Sequence, residues 1–107
     1  MENHAKVVII GGGVVGCSIL YHLSKFGLKD CILLERNELT SGSSWHAAGN
    51  VHVISSDPNI SRMMAYTIGL YKEIEKESGH SVGFKPSGGF YLASNEVWAE
   101  YLKRERS

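Results

Sequence analysis

The stretch VVIIGGGVVGCSILYHLSKFGLKDCILLE, residues 7–35, decides the fold of this chain. With Lys6 just before it, the stretch opens on a β-branched run (KVVII, residues 6–10), and a second apolar run (residues 31–35) closes it. Short runs without alternation are typical of strands buried on both faces. Between the two runs, apolar residues recur at helical spacing, and Gly27 ends the pattern. The apolar positions are Val15, Ile19, Leu20, Leu23 and Phe26. Strand, helix and strand in this order predict a βαβ unit with parallel strands, and therefore an α/β fold of Rossmann type.

A glycine-rich turn, GGGVVG at residues 11–16, connects the first strand to the helix. It matches the pattern GxGxxG through Gly11, Gly13 and Gly16. The first glycine permits a tight turn, the second lets a pyrophosphate approach the backbone, and the third lets the helix pack closely on the strand. The amide groups at the helix N-terminus would then bind the phosphates. The pattern by itself also fits a turn that binds nothing.

Glu35 ends the second strand, at the distance of about 20 residues from the glycine turn that dinucleotide-binding folds use. Its carboxylate would accept hydrogen bonds from the hydroxyls of the adenosine ribose and would repel a 2′-phosphate, which disfavours NADP. The alternative is a solvated carboxylate at a strand end. The context of strand, glycine turn, helix and acidic residue together favours a dinucleotide site.

The segment TSGSSWHAAGN, residues 40–50, is unusually rich in small residues. An NAD-binding domain has no use for such a segment and normally continues into another βα repeat. A flavin dinucleotide is longer, and its ribityl chain needs a passage beside which the backbone can come close. Serine hydroxyls in the segment would also bind phosphate and ribityl oxygens.

These residues resemble the N-terminus of the D-amino-acid-oxidase-type flavoenzymes, in the branch with dimethylglycine dehydrogenase, sarcosine dehydrogenase and dimethylglycine oxidase. The resemblance continues to the PSGGFYLA segment, so it covers nearly the whole chain but only the front of such an enzyme. It implies covalent attachment of FAD through His46 to the 8α-methyl group of the flavin. The FAD-binding positions expected from the glycine motif and the resemblance are Gly11, Gly13, Val14, Val15, Gly16, Glu35, Arg36, Gly42, Ser43, Ser44, Trp45, His46, Ala47, Ala48, Gly49, Asn50 and Val51.

The resemblance also implies a division of labour along the chain. Residues 1–50 would form the FAD-binding βαβ unit with its flavin loop, residues 40–50. Residues 51–107 would begin the oxidase, or substrate, domain, whose remainder is absent. The expected reaction is hydride transfer from a small N-methylated amine to FAD, with the product passed in longer members to tetrahydrofolate through absent domains. No catalytic residue and no metal ligand is expected within these residues, and the chain alone should be inactive. Two alternatives stay open: a fragment of an NAD-dependent dehydrogenase, and a non-catalytic subunit that completes a larger flavoprotein.

Two helices and two strands are predicted after the flavin loop. Asp57 and Pro58 mark the start of a helix whose apolar pattern runs to Gly79. Residues 82–94 predict two short antiparallel strands around a Pro/Gly turn, the first strands of the substrate domain. Asn95 is suited to cap a last helix.

Charge and cysteine content restrict the partners and the compartment. The 11 basic and 11 acidic residues cancel, and no basic run is long enough to bind nucleic acid or an anionic membrane surface. The apolar run near the start is too short and too rich in glycine to span a membrane. Cys17 and Cys31 have no metal-binding spacing and are expected to be free thiols, which predicts a reducing compartment and, on that basis, a cytoplasmic protein.

Overall fold

Five helices and strands make up the fold in the computed structural model, which describes residues 4–106. In chain order they are β1 (Val7–Ile10), α1 (Val14–Lys25), β2 (Cys31–Leu34), α2 (Pro58–Ser78) and α3 (Glu96–Arg106). The chain divides into two compact units, the first ending at Asn50 and the second beginning at Val51. The mixed α/β class predicted from the sequence is confirmed.

The two strands of the first unit form a parallel sheet, as predicted. Val7 pairs with Cys31 and Ile10 with Leu34, and the N–H of Gly11 donates to the carbonyl of Leu34 at 2.8 Å just beyond the strands. The paired strands are one residue shorter than the two apolar runs, and α1 packs against both of them.

The prediction that both faces of the strands are buried is wrong for this chain. Ile9 is buried, whereas the side chains of Val8 and Ile10 are 51% and 87% exposed. Alternate residues of a strand point to opposite faces, so Val8 and Ile10 share the face opposite Ile9. The β-branched composition indicates a strand suited to burial, but burial of the second face also requires another layer of structure that covers it.

Helix α1 begins within the glycine turn, at Val14, and ends where the sequence predicts. Gly27 takes a left-handed conformation (φ +86°) that glycine adopts without steric cost. Its N–H donates to the carbonyl of Ser24, and that of Leu28 donates to the carbonyl of Leu23. These two bonds form a Schellman motif, which ends the helix and leaves Phe26 exposed at the C-cap rather than on the apolar face predicted for it.

The helices of the second unit are capped by residues close to them in sequence. Asp57 accepts hydrogen bonds from the N–H groups of Asn59 and Ile60 at the start of α2, and Gly79 (φ +70°) ends that helix. Asn95 accepts from the N–H of Trp98 at 2.9 Å at the start of α3. Both helix starts predicted from the sequence are confirmed. Within residues 4–106, no helix combines the length and the apolar composition that crossing a membrane requires.

The two antiparallel strands predicted for residues 82–94 do not form. Residues 81–93 have no regular secondary structure, and the side chain of Phe90 is 98% exposed. A strand gains its hydrogen bonds from a neighbouring strand, and an isolated two-stranded hairpin is only marginally stable in water. A local β-type pattern is therefore insufficient to form strands here without a sheet on which the hairpin can pack.

Candidate functional site

The glycine turn between β1 and α1 is built so that a side chain would disturb it at two of the motif positions. Gly11 has φ +106°, in the region that side chains disfavour. A Cβ atom on Gly16 would overlap the carbonyl oxygen of Gly11 and would also touch the side chain of Ile9. The glycine at position 16 therefore permits the close approach of α1 to β1, which holds the helix N-terminus beside the end of the strand.

Gly12, which the pattern GxGxxG leaves unspecified, is as constrained as the motif glycines. It is buried, and a Cβ atom there would lie 2.5 Å from Cδ2 of Leu39 and 3.0 Å from Cβ of Glu35. Its N–H donates to Glu35 and its carbonyl accepts from the N–H of Thr40 at 2.9 Å. The only signal of this role in the sequence is that the middle residue of the GGG run is also a glycine.

The carboxylate of Glu35 joins the glycine turn to the segment after β2. Its Oε2 atom accepts from the N–H of Gly12 at 2.7 Å, and its Oε1 atom accepts from the N–H of Asn37 at 2.9 Å. These hydrogen bonds, that of Asn37 foremost, hold the pKa of Glu35 below its ordinary value, with a further contribution from the charge of Arg36. The ionised group keeps further lone pairs that can accept hydroxyl protons.

The N-terminus of α1 offers unpaired backbone donors. The N–H of Val14 donates to Oγ of Ser44 at 2.8 Å. The N–H groups of Gly13, Val15 and Gly16 have no hydrogen-bond partner among residues 4–106. Unpaired amide groups at a helix N-terminus, together with the helix dipole, favour an anion such as a phosphate.

The segment after Glu35 folds into successive turns over residues 39–46. Thr40 has a positive φ of 66°, and its carbonyl accepts from the N–H of Trp45 at 3.1 Å. Ser44 is half-buried, whereas Trp45 is 77% exposed and His46 is also exposed. The structure thus gathers the glycine turn, Glu35 and Ser44 around the start of α1 and leaves the side chains of Trp45 and His46 facing outward.

Comparison with known proteins shows similarity along nearly the whole chain. The family described as FAD dependent oxidoreductase matches residues 6–107. Human mitochondrial dimethylglycine dehydrogenase is 44% identical over 95% of this chain, and human mitochondrial sarcosine dehydrogenase is 41% identical over 97% of it. The mouse mitochondrial pyruvate dehydrogenase phosphatase regulatory subunit is 38% identical over all of it. The chain spans only 12%, 11% and 12% of these three relatives, respectively.

These matches correct the predicted location and favour FAD over a nicotinamide cofactor. The cytoplasmic location predicted from the cysteines is wrong, because the dimethylglycine and sarcosine dehydrogenases that resemble the chain are mitochondrial proteins. Free thiols indicate a reducing environment, but they do not specify which compartment provides it. A match to an FAD-dependent family over residues 6–107 also favours the flavin over the nicotinamide alternative. The chain belongs to the FAD dependent oxidoreductase family of D-amino-acid-oxidase type.

Proposed function

We propose that this chain is the N-terminal FAD-binding part of a flavoenzyme that oxidises a small N-methylated amine. The observation that carries the proposal is 44% identity to a dimethylglycine dehydrogenase over a stretch that includes the complete glycine turn, Glu35 and the flavin loop, residues 40–50. A sarcosine dehydrogenase is similarly related, and both substrates in these names carry an N-methyl group.

The residues around the start of α1 fit the dinucleotide end of FAD. A Cβ atom on Gly11 would meet nothing within 4 Å, so there is open space beside the turn at that position. The unpaired N–H groups of Val15 and Gly16 would hold the pyrophosphate, and Glu35 would accept protons from the ribose hydroxyls while remaining bonded to Gly12. The other predicted FAD contacts, Arg36 and residues 42–51, are part of the same proposal.

Bound FAD would supply the oxidising chemistry, taking a hydride from the C–H beside the amine nitrogen. The substrate's two electrons would leave with that hydride, and the resulting iminium would be hydrolysed or passed to tetrahydrofolate. Substrate and folate contacts would come from parts of the protein outside these residues. The role of this chain is to bind the cofactor and to fix its position.

We further propose that His46 carries the flavin covalently. The side chain is exposed and lies two residues after Ser44, which contacts the helix N-terminus. A neutral imidazole nitrogen is a competent nucleophile. The bond would join that nitrogen to the 8α carbon, with release of the N–H proton and one methyl proton. The electron pair of the broken C–H bond would remain in the flavin ring, and an oxidant such as dioxygen would have to remove it to restore the oxidised cofactor.

The experiment is acid denaturation of the full-length flavoprotein, followed by separation of free from protein-bound flavin. Yellow colour should remain with the polypeptide, and a His46→Ala variant should release it. A His52→Ala variant is the matched control, because His52 is another exposed histidine six residues along the chain. Colour released from the unaltered protein would contradict the covalent bond and leave FAD bound non-covalently.

A second candidate function is a non-catalytic subunit that keeps the FAD-binding fold. The observation in its favour is 38% identity over the whole chain to a protein named as a regulatory subunit of a phosphatase. Anaerobic addition of dimethylglycine or sarcosine to the full-length flavoprotein distinguishes the two. Loss of the yellow flavin absorbance supports the amine-oxidising enzyme. Unchanged absorbance, with co-purification of a larger partner, supports the subunit.

A further inference from the structure

The start of α1 is capped by a residue far away in sequence. The N-cap residue is Gly13, which has no side chain to accept a hydrogen bond from the first turn. The hydroxyl of Ser44 takes that role by accepting from the N–H of Val14 at 2.8 Å, across 30 positions of sequence. The cap therefore belongs to the flavin loop rather than to the helix that it stabilises.

Gly13 makes room for this contact. A Cβ atom at position 13 would lie 3.1 Å from Oγ of Ser44, closer than ordinary van der Waals contact. The backbone of Gly13 (φ −78°) is one that any residue can adopt, so its dihedral angles do not require glycine. The approach of the serine hydroxyl is a second reason for glycine here, besides the approach of a phosphate.

Ser44 is connected to His46 through short turns. The N–H of His46 donates to the carbonyl of Ser43 at 3.2 Å, and that of Ala47 donates to the carbonyl of Ser44 at 3.4 Å. The N–H of Trp45 is held by the carbonyls of Thr40 and Gly42. Because these bonds enclose residues 40–47, fixing Ser44 against α1 also fixes the backbone that carries His46.

We propose that Ser44 is a positioning residue that aligns the flavin loop, and with it His46, to the phosphate-binding end of α1. The inference rests on the proposed function only for the role of His46, because the hydrogen bond between Ser44 and α1 does not depend on a cofactor. One hydroxyl thereby couples the place where the dinucleotide phosphates would bind to the place where the flavin would attach.

The test compares Ser44→Ala, Ser44→Thr and Ser41→Ala in the full-length flavoprotein. Threonine keeps the hydroxyl, and Ser41→Ala makes the same substitution at an exposed serine of the same turns. The first readout is amide hydrogen exchange in FAD-free protein, in peptides covering residues 11–16 and 41–49. Ser44→Ala should raise exchange in both peptides by about fivefold, the size expected for a lost helix cap. Ser44→Thr and Ser41→Ala should match the unaltered protein.

The second readout is the rate at which added FAD becomes acid-stable, measured with FAD at a concentration that saturates binding. Ser44→Ala should lower this rate by about fivefold, the size expected for the lost cap, while Ser44→Thr restores it. Unchanged exchange in Ser44→Ala, or equal effects of Ser44→Ala and Ser41→Ala on exchange in the FAD-free protein, would overturn the proposal. If the unaltered protein releases its flavin in acid, the covalent role of His46 fails. Hydrogen exchange still decides whether Ser44 anchors the loop.

Discussion

The two units of the chain differ in how far along the sequence their hydrogen bonds reach. In the first unit, Gly12 is bonded to Glu35 across 23 positions and Val14 to Ser44 across 30, in addition to the parallel sheet. In the second unit the helix caps are local, and the bond from the N–H of Val82 to Glu75 spans seven positions. The first unit is thus held by contacts between distant segments, the second by contacts within or beside its helices.

This difference indicates which unit holds groups from distant segments in fixed relative positions. Bonds across 20 or more positions require the strands, the helix and the loop to be in place together, so they fix the relative positions of the groups expected to bind FAD. Local caps specify only that a helix begins or ends at a given residue. Substitutions and acid should therefore affect the two units differently, most strongly where a helix packs against a strand and least at an accessible carboxylate.

Substitution of a helical glycine should have opposite effects in the two units. Gly16→Ala would drive a methyl group into the carbonyl of Gly11, and we expect a loss of about 3 kcal/mol or more in the free energy of unfolding, with loss of bound FAD. Gly69→Ala is the matched control in α2, where a Cβ atom meets nothing within 4 Å, and it should stabilise by about 1 kcal/mol. Thermal unfolding and flavin content measure both; equal behaviour of the two variants would contradict the comparison.

Removal of the local cap of α2 should stay local. Asp57→Ala removes the acceptor for the N–H groups of Asn59 and Ile60 and should lower the stability of α2 by about 1 kcal/mol. Amide exchange in α2 should rise, whereas FAD content should not change. Ser56→Ala, one residue earlier and outside the cap, is the control. A loss of FAD in Asp57→Ala alone would show that the second unit supports the cofactor site.

Acid should weaken the hydrogen bonds of Glu35, including the long-range bond to Gly12. The pKa of this group is lowered in the folded chain by the N–H groups of Asn37 and Gly12, so its contribution to stability is complete above its ordinary value of 4.5. That contribution is lost as the pH falls through the lower pKa of the folded state. The effect should be smaller than those above, because solvent screens an accessible carboxylate.

The measurement for Glu35 is amide exchange of the glycine turn in FAD-free protein as a function of pH, after correction for the intrinsic pH dependence of exchange. A Glu35→Gln variant is the reference, because its neutral amide can accept one of the two hydrogen bonds but has no charge to lose. The protection that distinguishes the unaltered protein from this variant should decline below pH 4.5. A difference that persists unchanged at lower pH would mean that the charge of Glu35 does not hold the turn.

Residues whose partners are distant show the limit of prediction from this sequence. The position of Glu35 predicts a ribose contact, yet its two hydrogen bonds to the backbone depend on how the glycine turn meets the segment after β2. The motif does not specify Gly12, because the side chains that would clash with a Cβ atom there, Leu39 and Glu35, lie more than 20 positions away. Local composition predicts strands at residues 82–94, but no partner strand pairs with them in the described part of the chain.

The sequence by itself determined the order of β1, α1, β2, α2 and α3, the parallel pairing, the glycine turn and the helix ends at Asp57, Gly79 and Asn95. These features depend on groups within a few residues of one another, or on the requirement that a βαβ connection makes its strands parallel. The tertiary structure alone decided that Ser44 caps α1, that Glu35 bonds to Gly12, and that Val8 and Ile10 lie on an uncovered face. Those outcomes depend on which distant segments approach each other, and no local pattern of residue types encodes that approach.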